Sequence, residues 1–178
     1  MIKIIEEKNI TPQLDSEIKN ALCLCFPEDR NFFSLSRAWH NSYPEISFIM
    51  LENNRIVAHV AIVNRRIMVR NQFVKVAGIQ NVFVLPEYRG KGLCKEIMTF
   101  AMQNIKKYNF DLGLLFCVPD LERTYSQCSW SIMSKREITR TTESGETIPL
   151  PNKNISMYYP LEMKQMPEGN IDLMGNDW

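Results

Sequence analysis

From Ile46 to Val84 the chain presents three apolar runs of strand length, broken only at Asn53-Asn54 and Arg70-Asn71. Asparagine tolerates the left-handed backbone of a tight turn, so Ile46–Leu51, Arg55–Val69 and Gln72–Val84 are expected to be consecutive strands joined by turns. In the second run Ile56, Ala58, Val60 and Ile62 alternate onto one face. Pro86 ends the third run. The loop Arg89-Gly90-Lys91-Gly92 then leads into Leu93, Ile97, Phe100, Ala101 and Ile105, apolar positions at helical spacing that predict a helix of about four turns. A sheet that passes its last long strand directly into a glycine-rich loop and a helix restricts the chain to α/β architectures.

The flanking segments fit that frame. Ile2–Ile5 can form a first strand. Thr11-Pro12 opens a helix carrying Leu14, Ile18, Leu22 and Cys25 that stops before Pro27. Arg30–His40 is expected to hold a second short helix, Asp111–Cys117 a strand, and Leu121–Cys128 a further short helix. Two last strands are expected at Ile132–Thr139 and Ile155–Leu161, joined through the polar Thr141–Gly145. The order β-α-α-β-β-β-α-β-α-β-β describes one α/β domain over residues 1–178, with a mixed sheet.

Charge sets limits on partners. The 178 residues hold 21 basic and 20 acidic side chains, a formal net charge of +1. So even a balance offers no global field for nucleic acid or an anionic membrane. No apolar run reaches membrane-spanning length, and Lys3, Glu6 and Glu7 come too early for a secretory leader. Cys23, Cys25, Cys94, Cys117 and Cys128 are odd in number and set among apolar residues, which suggests free thiols in a reducing cytoplasm. Their spacing, with only two histidines in the chain, speaks against a metal site.

The loop carries the chemistry. The first turn of a helix presents unpaired N–H groups and the positive end of its dipole. Glycines let an anion approach the backbone, and Arg89 and Lys91 add positive charge, so a pyrophosphate fits here. A P-loop requires Ser or Thr after its lysine, where this chain has Gly92. A dinucleotide fingerprint requires a third glycine, where this chain has Lys95. What remains, Val82-Phe83-Val84 and Pro86 followed by Arg89-Gly90-Lys91-Gly92-Leu93-Cys94, resembles the coenzyme loop of the GNAT superfamily of N-acetyltransferases.

That resemblance implies a mostly antiparallel mixed sheet flanked by helices, with acetyl-CoA bound at a splay between two central strands and no metal. It implies that Val82, Phe83 and Val84 pair with the pantetheine arm, while Arg89, Gly90, Lys91, Gly92, Leu93 and Cys94 hold the pyrophosphate. Cys94 stands where the superfamily usually has Gly or Ala. Tyr125, five residues before Trp130, is similar to the superfamily's tyrosine that protonates the leaving thiolate; Ser129 replaces the usual glycine.

A narrower resemblance is to the aminoglycoside 2′-N-acetyltransferases. It rests on Leu14-Asp15-Ser16-Glu17, Ala58-His59, Arg65-Arg66, Leu112-Gly113, Thr139-Arg140-Thr141 and Gly175-Asn176-Asp177-Trp178. It implies an amine acceptor site at Asn81, Phe116, Asn176, Asp177 and Trp178. The residues Gln165–Trp178 carry Glu168, Asp172 and Asp177 but no Lys or Arg, so the tail is expected to fold over a polycationic amine. Gln80 stands where that family has a glutamate acting as base through water, and an amide cannot take a proton at neutral pH.

The catalytic candidates are therefore Tyr125 as acid, with the base open among Trp178's carboxylate, Asp177 and a water held by Gln80. Direct attack by the amine is expected rather than a cysteine-bound intermediate, because His59 alone could activate a thiol and a strand histidine is usually satisfied in the core. Trp39-His40 is a further candidate for the acceptor pocket. The alternative is an acyl-CoA-binding sensor without turnover. A homodimer formed through the strands after the last helix is a further expectation.

Overall fold

The computed structural model describes residues 1–178. Strand β1 (Ile2–Glu6) is followed by helix α1 (Pro12–Cys25) and the single turn α2 (Arg30–Phe33). Strands β2 (Ile46–Glu52), β3 (Arg55–Val69) and β4 (Gln72–Val84) then lead to helix α3 (Leu93–Asn104), strand β5 (Leu112–Cys117) and the short helix α4 (Glu122–Ser126). The remaining strands are β6 (Ser131–Ile132), β7 (Ile138–Thr141), β8 (Thr147–Pro149), β9 (Ile155–Pro160) and β10 (Ile171–Asp172).

The elements follow from local chemistry. In α1, Thr11 Oγ1 accepts the N–H of Leu14 at 3.2 Å and Pro12 fills a first-turn position that needs no N–H. Asn53 and Asn54 take φ values of 50° and 62°, the left-handed pair of a tight hairpin, and β2 and β3 fold back antiparallel on either side. α3 buries Ile97, Met98, Ala101 and Met102 against the sheet and leaves Glu96 in its first turn, where the dipole favours an acid.

All strands form one sheet in the order β6-β9-β5-β4-β3-β10-β7-β8, with β2 also pairing with β3 and β1 pairing with β2. The β4–β5 and β10–β7 pairs are parallel and the rest antiparallel. This is the mixed, mostly antiparallel sheet that the sequence implied. Its centre is incomplete. β4 and β5 are in register only over Val76–Gly78 and Leu112–Leu114, and beyond Gly78 the two strands part.

Three expectations need correction. Ile132–Thr139 is not one strand: Ser131–Ile132 pairs with β9, whereas Ile138–Thr141 joins β8 and β10 on the far side of the sheet. The Arg136 guanidinium, donating to Pro167 O at 2.6 Å, marks the crossing between them. Thr141–Gly145 does not run directly into the last strand, because Thr147–Pro149 turns back on β7 as an extra hairpin. Arg30–His40 is α-helical only to Phe33; a single 3-10 turn follows at Trp39–Asn41, where His40 and Asn41 adopt left-handed φ values of 44° and 59°.

The chain's final residues are also not a loose end. Ile171–Asp172 is a strand between β3 and β7, and Trp178 is 5% exposed, its Nε1–H donating to Leu114 O at 3.4 Å. The indole lies flat on Gly78, where a Cβ would stand 2.4 Å from its Cε2. The ring also meets Phe116 at a centroid distance of 5.4 Å and lies under the Arg65 guanidinium at 5.7 Å. Trp178→Ala is expected to destabilise the fold by about 3–5 kcal/mol, read as a lowered urea midpoint. Gly78→Ala should destabilise the fold by about 1–3 kcal/mol through overpacking against the same ring.

Candidate active site

The parting of β4 from β5 has a local cause. Phe83 faces His59 and Gln80 faces Ala61, so two residues of β4, Asn81 and Val82, oppose Val60 alone. This is a β-bulge, which bends the strand and increases its twist. Asn81 takes a φ of 56°, a conformation that asparagine tolerates better than most residues. Its carbonyl accepts Nδ1–H of His59 at 2.8 Å and its Nδ2 donates to Arg37 O at 2.7 Å. The bulge is therefore fixed from both sides.

His59 is fully buried. Burial, with the charge of Arg37 acting in the same direction, holds its pKa at about 4 against the hydrogen bond to Asn81, so the ring is neutral at pH 7. Its Nε2 lies 3.0 Å from Ser47 Oγ, which is 2.5 Å from Glu7 Oε1. The other oxygen of Glu7 accepts Arg37 Nη2 at 2.7 Å, and Arg37 Nε donates to Asp15 at 2.7 Å. A continuous polar chain thus ties α1 and the segment after β1 to the bulge.

Beyond the bulge, Leu85 N–H donates to Val57 O of β3. Backbone groups alternate along a strand, so those of Val84 and Val82 face the open side. Val84 O already accepts Arg89 Nε at 3.1 Å, which fixes the arginine at the start of the loop. Gly90 and Gly92 have φ values of 76° and 78°, and beyond the local backbone no part of the chain lies within 4 Å of where a Cβ would be. The loop is open to an anion, and Gly92 is the N-cap of α3.

A groove of about 470 Å³ runs from this loop along β4. Eight of the nine residues expected to hold coenzyme line it: Val82, Phe83, Val84, Arg89, Gly90, Gly92, Leu93 and Cys94. Lys91 is the exception, its ammonium standing 4.9 Å from the Tyr88 ring centre. A second cavity, of about 590 Å³, opens beside it and is lined by Gln80, Asn81, Phe116, Asp177 and Trp178, with Trp39 and His40. Asn176 does not line it; its carbonyl accepts Ser42 Oγ at 3.2 Å. Tyr125 lines both spaces, as do Phe26, Val82 and Leu121.

The protonation states suit a proton donor and no thiolate. Burial, reinforced by the thiols of Cys94, Cys117 and Cys128, pushes the Tyr125 phenol far above its ordinary value. Burial likewise raises Cys94 and Cys117 to about 11, and it raises Cys128 too. A thiol at that value supplies little thiolate at neutral pH. His59, engaged at both nitrogens, is not available to activate one.

The remaining polar groups are tied to the scaffold. Gln80 Nε2 donates to Ser42 O at 2.8 Å, and its Oε1 accepts Trp39 N–H at 3.3 Å, so the amide fastens the loop carrying Trp39 and His40. Asp177 Oδ1 lies 2.6 Å from Arg140 Nη1 and 2.8 Å from His40 Nδ1. Burial pulls that carboxyl upward, but His40 and Arg140 outweigh it and hold it below the usual carboxylate range. Ser42 Oγ reaches Asp177 O at 2.8 Å and accepts Arg65 Nη2 at 3.1 Å. No three His, Cys, Asp or Glu side chains converge as a metal site would require.

A family profile described as an acetyltransferase (GNAT) domain matches residues 8–133. The chain belongs to the GNAT acetyltransferase family. Among curated relatives of this GNAT chain, an aminoglycoside 2′-N-acetyltransferase of Mycolicibacterium fortuitum is 24% identical over 115 residues. The match spans 61% of this chain and 58% of that protein. The GNAT N-acetyltransferase YhbS of Escherichia coli, solved in complex with CoA, superposes with a TM-score of 0.69 at 12% identity, covering 98% of this chain and 89% of that one. Escherichia coli ElaA gives 0.65 at 12% identity, with coverages of 89% and 98%. These two likenesses concern the fold. In addition, no helix of this GNAT chain is long and apolar enough to cross a membrane.

Sequence reasoning did not find Arg37, Ser47 or Ser42. None stands in a motif, and their roles arise only when distant segments meet. His59 has a pH consequence. Because its folded pKa is depressed, the unfolded chain binds a proton that the folded chain refuses between about pH 6.5 and pH 4. Stability from this residue is present above that window and declines as pH falls through it, by about 3 kcal/mol at the lower end. Denaturation midpoints measured from pH 7 to pH 4 should show this loss, and His59→Gln should flatten the slope.

Proposed function

We propose that this chain transfers an acetyl group from acetyl-CoA directly to a primary amine. The observation that carries this reading is the position of Tyr125, a protonated phenol at the junction between a groove with an anion-binding mouth and a second cavity with room for an acceptor. The pyrophosphate would meet the N–H groups around Gly90–Cys94, with the charges of Arg89 and Lys91 nearby. The open backbone of Val82 and Val84 would pair with the pantetheine amides as an added strand does. That arrangement would bring the thioester to the bulge.

In the reaction a neutral amine nitrogen forms a bond to the thioester carbonyl carbon. The Val82 N–H, on the open side of β4, is placed to stabilise the oxygen as it becomes negative. The C–S bond then breaks, and Tyr125 gives its phenolic proton to the departing sulfur. The proton lost by the acylated nitrogen restores the phenol through solvent. Asp177, held by Arg140 and depressed in pKa, is a weak base, and Gln80 has its amide on the backbone. A well-oriented neutral amine with water as the proton acceptor is the base-free route that these residues favour.

The acceptors to test include aminoglycosides with a 2′-amine, the substrate in the name of the Mycolicibacterium relative. The commitment of Gln80 to the backbone also favours a second reading, an acyl-CoA sensor without turnover. Thiol release separates the two, since a sensor binds acetyl-CoA with no amine-dependent release. For the enzyme, Tyr125→Phe should lower kcat by about 10²–10⁴-fold while acetyl-CoA affinity stays unchanged in calorimetry. Gly92→Val should instead weaken acetyl-CoA binding by about tenfold or more, because a β-branched residue disfavours the left-handed N-cap and intrudes on the anion.

A further inference from the structure

The charge of the acceptor cavity does not match a polycation. Two side-chain carboxylates line it, Asp29 and Asp177, and two cations, Arg140 and Lys153, line it as well. Asp177 is already neutralised by Arg140 at 2.6 Å and bonded to His40. The other acids of the tail do not reach the cavity: Asp172 accepts the N–H of Met174, and Glu168 is not among the lining residues. Asp29 is the one lining side-chain carboxylate without an ion-pair partner, and Lys153 adds a positive charge to the same wall.

The rest of the wall is mostly apolar and rich in rings. Phe26, Phe33, Trp39, Phe116, Tyr125 and Trp178 contribute rings to one space. Phe33 and Trp39 stack at 5.5 Å, and Phe116 and Trp178 meet at 5.4 Å, so the rings are held by one another. Gln80 and Asn81, the polar residues between them, turn their amides to the backbone of the segment Arg37–Ser42. Such a wall offers dispersion, ring-edge contacts and one cation–π position, and it gives a buried charge few partners. A polyamine or aminoglycoside entering it would lose water from several ammonium groups without replacement. An amine on an aromatic or bulky apolar body would lose water from one.

We infer that the acceptor is a primary monoamine carried on an aromatic or similarly apolar body, and that Phe116 and Trp39 select it. This rests on the acetyl-transfer reading above and names the substrate class of that same cavity. The nitrogen enters toward Tyr125 and the thioester, and the apolar body occupies the space between the Trp39 and Phe116 rings.

The test is amine-dependent thiol release from acetyl-CoA by the full chain, with phenethylamine, tryptamine and phenylalanine against kanamycin and spermidine at fixed ionic strength. The expected result is a kcat/KM about tenfold or more higher for phenethylamine and tryptamine than for either polycation. Phenylalanine, whose carboxylate can meet Arg140 and Lys153, is also expected to exceed both polycations, and a lower kcat/KM than theirs would count against the inference. Phe116→Ala should reduce the rate with the aromatic amines and leave acetyl-CoA affinity unchanged, whereas an equal loss with kanamycin would count against selection by the ring. Polycations matching the aromatic amines would overturn this inference alone, whereas acetyl-CoA binding with no amine raising thiol release would favour the sensor and overturn the acetyl-transfer reading together with this inference. Failure of acetyl-CoA to bind in calorimetry would overturn the coenzyme reading and this one with it.

Discussion

A single backbone irregularity organises this molecule. Asn81 puts one extra residue into β4, and His59 and Arg37 hold it there with two hydrogen bonds of 2.8 and 2.7 Å. Without the bulge, β4 would continue beside β5 past Gly78 and the sheet would close. With it, the strands part, two backbone amides face open space, and the glycine loop at the head of α3 lies at the end of the gap. The strain of a left-handed residue within a strand, of order 1–3 kcal/mol, is tolerated because the surroundings over-determine it. The polar chain through Ser47, Glu7 and Arg37 to Asp15 supplies that surrounding.

The same segment of chain shapes the second cavity. Arg37 O holds the bulge, Trp39 N–H holds Gln80, and Ser42 joins Arg65 to the carbonyls of Asn176 and Asp177. Segment 37–42 is therefore a seam between the central strands and the final residues. Polar side chains that sequence suggests as reactive are used here to hold backbone in place. Tyr125 differs from them: it belongs to both spaces, and burial keeps its proton on. The chemistry of the site reduces to that contrast.

Much of this was legible in the sequence where the signal was local. The turn at Asn53-Asn54, the Thr11-Pro12 cap, the periodicity of α3 and the glycine loop each depend on neighbours within a few residues, and each is present in the fold. The break within Ile132–Thr139 was not legible, because an apolar run states that it is buried and not against which edge of the sheet. The β8 hairpin was missed since Thr147–Pro149 is too short to show alternation. At the site, Gln80 and Asp177 could be singled out by position. Their partners, Ser42 and Arg140, lie 38 and 37 residues away and carry no local mark. The tail's negative charge reads as a cation trap in isolation; only the folded chain shows Arg140 and His40 already on Asp177.

The central claim is that the bulge at Asn81 and the loop at Gly92 together form one coenzyme groove ending at Tyr125. A crystal structure of the chain with CoA tests it most directly. The diphosphate is expected within hydrogen-bond distance of N–H groups between Gly90 and Cys94, the pantetheine beside Val82 and Val84, and the sulfur within reach of the Tyr125 hydroxyl. Coenzyme density elsewhere on the surface, or a sulfur directed away from Tyr125 with β4 and β5 closed together, would contradict it.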